Sequence, residues 1–211
     1  MTINSYCTVA EIKADMPDSP LYTSTDTTIE TAITALIAAA SRLIDKEVGA
    51  MPGYFASSDS DTRYYDGDGS DECVIDECVS ITTLSVAEGG GRASTDYTDW
   101  TVNTHFYTMP YNASGMGIPI RKIIVEADGG KVNFPKSRKA VKIVGVFGYS
   151  ATAPDDVKQA CKIQAFRWFM RAKQGYQDAS ANVATGGTIF AQELDPDVKE
   201  ILKHYRLENM V

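Results

Sequence analysis

Apolar residues recur at three- and four-residue intervals in two long stretches, and in alternation or short runs in the segment between them. From about Thr28 to Val48, Ile29, Ala32, Ile33, Leu36, Ile37, Ala40, Leu43 and Ile44 follow the period of an amphipathic helix without a gap. Thr27 and Glu30 have the spacing of a capping box, and Gly49 supplies the stop. Ala35, Ala38 and Ala39 lie off the stripe, where a second helix can approach closely. A second long helix is predicted over Pro154 to Gly175. Pro154 suits the first helical position, Asp155 and Asp156 meet the positive end of the dipole, and Arg171 and Lys173 precede the closing glycine. Val157, Ala160, Cys161, Ala165, Trp168 and Ala172 form one face, while Ile163, Phe166 and Met170 form another, turned well away. A helix with two apolar faces has to be covered on two sides, inside a monomer core or between its own core and a neighbouring subunit.

Shorter elements flank these. Thr8 and Glu11 make a capping box for a short N-terminal helix, and Leu194-Asp195-Pro196-Asp197 opens a final one with Val198, Ile201, Leu202 and Tyr205 on its apolar edge. Asp18 to Thr25 reads as a polar loop, and Asp178 to Gly187 as a small-residue loop suited to ordering on contact with a partner. Between the long helices, Ser57 to Glu72 reads as a polar loop interrupted by a short Tyr pair, Tyr64-Tyr65. Strand character follows at Cys73–Ile75, Ser80–Ala87, Asp99–Thr108, Ile120–Val125 and Val141–Phe147. Gly89-Gly90-Gly91, Asn112 to Gly117 and Asp128-Gly129-Gly130 supply turns. The expected fold is α+β and mainly helical: two long and two short helices in a bundle. Residues 1–56 and 151–211 form that bundle, and 57–150 form an inserted β-rich subdomain.

Composition narrows the function more by exclusion than by indication. Hydrophobic content of 44% and charged content of 23% are ordinary for a globular chain. Twenty basic against 28 acidic residues, a net charge of −8, argue against tight binding to a phosphate backbone. Lys136, Arg138, Lys139 and Lys142 form a small cluster that reads as a solvated face. The N-terminus has no secretion signal and no stretch approaches 18 apolar residues, so synthesis in a reducing cytosol with free thiols at Cys7, Cys73, Cys78 and Cys161 is expected. The two histidines, His105 and His204, have no Ser–His–acid or Cys–His context, and no nucleotide-binding or HExxH motif occurs. No catalytic residue, cofactor or metal is therefore assigned.

One motif invites a second reading. Asp66, Asp68, Ser70 and Glu77 fall at calcium-loop positions, which would make the β-rich middle a calcium-dependent or carbohydrate-binding module. The sixth position is Asp71 where glycine is needed, and the flanks read as strands, so an acidic turn is the better account. Cys73 and Cys78 have no second pair to complete a zinc site.

The order and spacing of the elements resembles the head–tail connector, or adaptor, proteins of long-tailed bacteriophages. The likeness is carried by TVAEIK near the N-terminus, Ala40-Ser41-Arg42-Leu43-Ile44-Asp45, Arg63-Tyr64-Tyr65-Asp66-Gly67 and Ile81-Thr82-Thr83-Leu84-Ser85-Val86. It continues through Val144-Gly145-Val146-Phe147-Gly148-Tyr149, Pro154, Val157 and Ala160, to Leu194-Asp195-Pro196-Asp197-Val198 with Ile201-Leu202 and Tyr205-Arg206. It spans nearly the whole chain, and no single motif is diagnostic. The resemblance implies a ring, commonly of twelve copies, in the virion neck beneath the portal, passing DNA through its lumen and joining the portal to the next head-completion or tail protein. On this reading Ala35, Ala38, Ile163, Phe166, Trp168 and Met170 lie between subunits, and Val198, Ile201, Leu202, Tyr205 and Arg206 dock on the portal.

Overall fold

The computed structural model describes residues 4–15, 26–87, 96–173, 175 and 194–207, together with the backbone of 179–182 and 187–190. The loop expected over Asp18 to Thr25, the Gly89-Gly90-Gly91 turn and residues 183–186 lie outside the described residues. The chain forms two compact units, one from Tyr54–Thr152 and one that joins Ile3–Gly53 to Ala153–Val211.

The first unit is built on strands β1 (Ser60–Gly67), β2 (Glu72–Val86), β3 (Thr98–Trp100), β4 (Phe106–Met109), β5 (Ile120–Val125) and β6 (Ser137–Phe147), with the one-turn helix α3 (Ala113–Met116) before β5. They make one antiparallel sheet in the order β1-β6-β2-β5-β4, with β3 added to β2. The long β2 serves two sets of partners. Its first half pairs with β5, Cys73 opposite Ile123, and its second half places Leu84 between Ile143 of β6 and Trp100 of β3. Period-two patterning fixes the core face: Cys73 and Ile75 point in while Val74 and Asp76 point out, and Val141, Ile143 and Phe147 do the same on β6. Trp100 stacks on Phe134 with ring centroids 5.4 Å apart over this core.

This sheet overturns the expectation of a mainly helical bundle. Six strands form a single antiparallel sheet, and among the described residues only three helices reach seven residues. Three local features account for the difference. The stretch expected as a polar loop is the edge strand β1, which has no fully buried position and so no apolar alternation to read. The apparent gap between two strands at Asp76-Glu77 is part of β2, because the exposed Asp76 carboxylate and the largely buried Glu77 carboxylate are each met by a cation. Arg63 lies 2.7 Å from Asp76 and Arg121 lies 2.6 Å from Glu77. The segment Asp99–Thr108 is two strands separated by a turn in which Asn103 takes a left-handed φ of 59°.

Gly145 is required by close approach. A Cβ there would meet the carbonyl oxygen of Ser80 at 2.4 Å, where β2 crosses β6 between two register shifts. Gly145→Ala should therefore push β2 from β6 and cost about 1–3 kcal/mol in denaturant unfolding, with the midpoint falling and the slope unchanged.

The second unit contains α1 (Val9–Ala14), α2 (Thr27–Val48), α4 (Asp155–Lys173) and α5 (Pro196–Leu202), which continues into a 3-10 turn at Lys203–Tyr205. It also contains a separate two-stranded sheet, β7 (Ala179–Asn182) against β8 (Gly187–Phe190), where a loop is expected from sequence. The capping box of α1 is complete: the Glu11 amide donates to the Thr8 hydroxyl at 3.2 Å and the Thr8 amide to the Glu11 carboxylate at 2.7 Å. The cap of α2 is Asp26, one residue earlier than expected, accepting from the Thr28 amide at 2.8 Å. Gly49 ends α2 and Gly175 follows α4, both with left-handed φ. By length and composition α2 could cross a membrane, with an apolar span of mean hydropathy 1.3. Its buried stripe of Ile33, Ile37, Ala40, Ile44 and Val48 instead belongs to a core in which α2 packs on α4.

Candidate assembly surface

The inner side of α4 is Val157, Ala160, Cys161, Gln164, Ala165 and Phe169. Phe169 is the aromatic that turns inward. It sits four residues after Ala165, in helical register with the core side, whereas Trp168, expected on that side from the sequence, is only half-buried. Gln164 is fully buried, and its side-chain oxygen accepts from the Asp195 amide at 3.1 Å. Arg167 lies 2.9 Å from the Asp195 carboxylate, whose other oxygen accepts from the Asp197 amide at 3.0 Å. Two polar side chains of α4 thus fix the N-terminus of α5, and neither had a periodic signature by which to find it.

Outward positions define the surface left over. On α4, Ile163, Phe166 and Trp168 are half-buried and Met170 is exposed; on α2, Ala32, Ala35, Ala38 and Ala39 are exposed and Leu36 and Leu43 half-buried. Only 28% of the apolar span of α2 is buried. The six residues expected between subunits therefore all carry surface open to a partner, on the two longest helices of the unit.

The five residues expected to dock on a portal divide differently. Val198 and Leu202 are fully buried in the core of this unit. Ile201 is half-buried. The Tyr205 hydroxyl donates to the Asp156 carboxylate at 2.7 Å, Arg206 pairs with Glu47, and the Leu207 amide donates to the Val48 carbonyl at 2.9 Å. What α5 offers outward is a shallow, charged depression lined by Pro196, Lys199, Glu200, Lys203 and Arg206.

A buried polar network anchors the start of the chain to α2. The Tyr6 amide donates to the Ser41 hydroxyl at 3.1 Å and its phenol donates to the Asp45 carboxylate, which also accepts from the Gly53 amide at 3.1 Å. Arg42 lies 3.4 Å from Asp45, over the Tyr6 ring, and donates to the Asn4 carbonyl at 3.0 Å. Burial pushes the Asp45 carboxyl above its ordinary range, against the opposing pull of Tyr6, Gly53 and Arg42. The folded state then binds the proton more tightly than the unfolded chain, so this group's contribution is full at low pH and is lost as pH rises through the folded value. Stability measured by denaturant from about pH 4 to about pH 7 should carry this falling component, and Asp45→Asn should remove it. Nearby, the Cys7 and Cys161 sulfurs are 3.4 Å apart and buried, with Cys7 donating; all four cysteines are free thiols.

The acidic turn has other uses for its carboxylates. Asp68 accepts from the Ser70 amide and hydroxyl, Asp66 from the Lys139 amide at 2.7 Å, and Glu77 pairs with Arg121. Among the described residues no group of three or more His, Cys, Asp or Glu is placed to hold a metal ion. The basic cluster is partly drawn onto aromatic rings, with Lys139 over Tyr64 and Lys142 over Tyr97.

No protein-family model and no curated protein matches this sequence. The fold does find counterparts. It is similar to a chain in the neck of an empty GTA particle computed with C6 symmetry, with a TM-score of 0.55 and 16% identity over 100% of this chain and 98% of that one. A chain in the neck of the native GTA particle computed with C12 symmetry gives a TM-score of 0.48 at the same identity and coverage. At this identity the first likeness is one of fold, extending from end to end of both chains.

Proposed function

We propose that the chain is a structural, non-catalytic component of the neck of a phage-like particle. It forms a ring of twelve copies that joins the portal to the next head-completion or tail protein and continues the DNA channel. The observation that carries this reading is the uncovered apolar surface of α2 and α4, in a chain whose fold is similar end to end to a chain of a particle neck. Such a surface belongs against another protein. A closed ring makes a head-to-tail interface, so each copy needs two different patches, and two long helices with outward apolar positions can supply them. On this reading residues 57–150 are an insertion within a helical part made of 1–56 and 151–211. The protein is made in the host cytoplasm and resides in the virion neck.

The charge balance fits a channel wall. A chain of net charge −8 releases few counterions from a passing duplex, so DNA moves through the lumen without sequence-specific retention. The charged depression on α5, with the exposed parts of Ile201, Tyr205 and Arg206, is the portal-facing surface; Val198 and Leu202 support it from beneath. Light scattering on the purified chain, alone and with a cognate portal, tests the reading. The expected result is a species of many times the 22.9 kDa protomer mass in at least one sample. A protomer-mass species that stays separate from the portal in both would contradict it.

A further inference from the structure

The hairpin β7–β8 stands apart from the six-stranded sheet as a two-stranded sheet of its own, with Ala179 opposite Phe190 and Asn182 opposite Gly187. Two-stranded sheets this short are marginal in water, because half of the backbone N–H and C=O groups of each strand point away from the partner strand. Natural proteins guard such edges with lysine, proline, inward charge or a bulge. None of these is present. The fourteen residues between Asp178 and Glu193 include no Lys, Arg, Asp, Glu or Pro, in a chain that is 23% charged, and the register runs without a shift.

We propose that each hairpin pairs edge to edge with the same hairpin of the neighbouring copies, closing a continuous antiparallel β-barrel inside the ring. This rests on the ring reading above. The occupant is a second copy of this chain for three reasons. Among the described residues each hairpin has two edges with no strand paired to them, one on β7 and one on β8, which is the number a ring member needs. A rotation about the ring axis preserves strand sense along that axis, so β8 of one copy meets β7 of the next antiparallel. The two edges are complementary in partial charge, donors facing acceptors, and the absence of formal charge lets identical segments meet without repulsion. Closure also removes every free edge, which is the one complete solution to edge exposure. The closed barrel contributes a stretch of channel wall without formal charge from its strands, past which a polyanion moves without attraction or repulsion.

Amide hydrogen exchange across residues 179–190, in free protomer and in rings purified alone or on a portal, tests this. In the protomer the outward amides should exchange as open backbone. In the ring, the outward amides of both strands should slow by at least about tenfold. A second arm uses the alternation of the ladder: of Ser180→Pro with Ile189→Pro and Ala181→Pro with Thr188→Pro, one pair removes only outward N–H groups. That pair should block ring closure while the protomer stays folded. Rings in which the outward amides exchange as fast as in the protomer, or rings formed at full yield by both proline pairs, would overturn the barrel while leaving the ring reading intact. Absence of rings under every condition would instead overturn the ring reading, and the barrel with it.

Discussion

Phe166→Asp should leave a folded protomer that no longer assembles. The side chain is half-buried on the outward side of α4, while the core side of that helix is carried by Val157, Ala160, Cys161, Ala165 and Phe169. A carboxylate at position 166 can stay hydrated in the protomer, so the unfolding free energy should fall by about 1 kcal/mol or less. Against a neighbouring subunit the same carboxylate is buried without a partner. Loss of an aromatic anchor at an interface centre costs about 2 kcal/mol or more, and desolvating an unpaired charge adds to that. Every junction of a ring carries the penalty, so closure should be lost rather than weakened. Circular dichroism and light scattering separate the outcomes: native signal with protomer mass is the expected result. Loss of the native signal would place Phe166 in the core of the protomer.

Leu202→Ala should act in the opposite way, on folding first. Leu202 is fully buried, on a helix whose start is held by Gln164 and Arg167 of α4 through Asp195. Removing three buried carbons from a packed site costs about 2–5 kcal/mol, a large part of the 5–15 kcal/mol typical of a domain. Denaturant melts of the isolated protein should show the whole loss with no portal present. The surface variant Lys203→Glu should leave the melt within about 0.5 kcal/mol of wild type and alter only portal association. If Leu202→Ala melts like wild type but fails to bind the portal, that side chain would be a docking residue and the core assignment would fail.

The elements that could be read from the sequence are those whose signal is local. The capping box at Thr8 and Glu11, the glycine stop at Gly49 and the Asp195-Pro196 opening of α5 each involve groups a few residues apart, and the structure places all three as expected. The balance of helix and sheet was not legible, because the sheet depends on partners far along the chain. The strand β1 is held by β6, with Tyr64 opposite Lys142, and by Arg63 against Asp76 and over the Phe147 ring. A polar edge strand of that kind has no periodicity of its own. The hairpin β7–β8 is hidden for a related reason: β7 is Ala-Ser-Ala-Asn, without the β-branched and aromatic residues that mark a strand, so the Thr188-Ile189-Phe190 run of β8 has no visible partner in the sequence. On the candidate surface, the outward positions of α2 and α4 followed from helical periodicity alone. Which apolar residues of the last helix turn inward did not: Val198 and Leu202 belong to the core, and packing against α4 and α2 decides that.

Electron microscopy of the purified chain mixed with a cognate portal tests the central claim most directly. The account predicts closed rings seated coaxially on the portal, with a central opening wide enough for duplex DNA and rotational symmetry visible in averaged end views. Portals that remain bare beside unassembled protomers would contradict it.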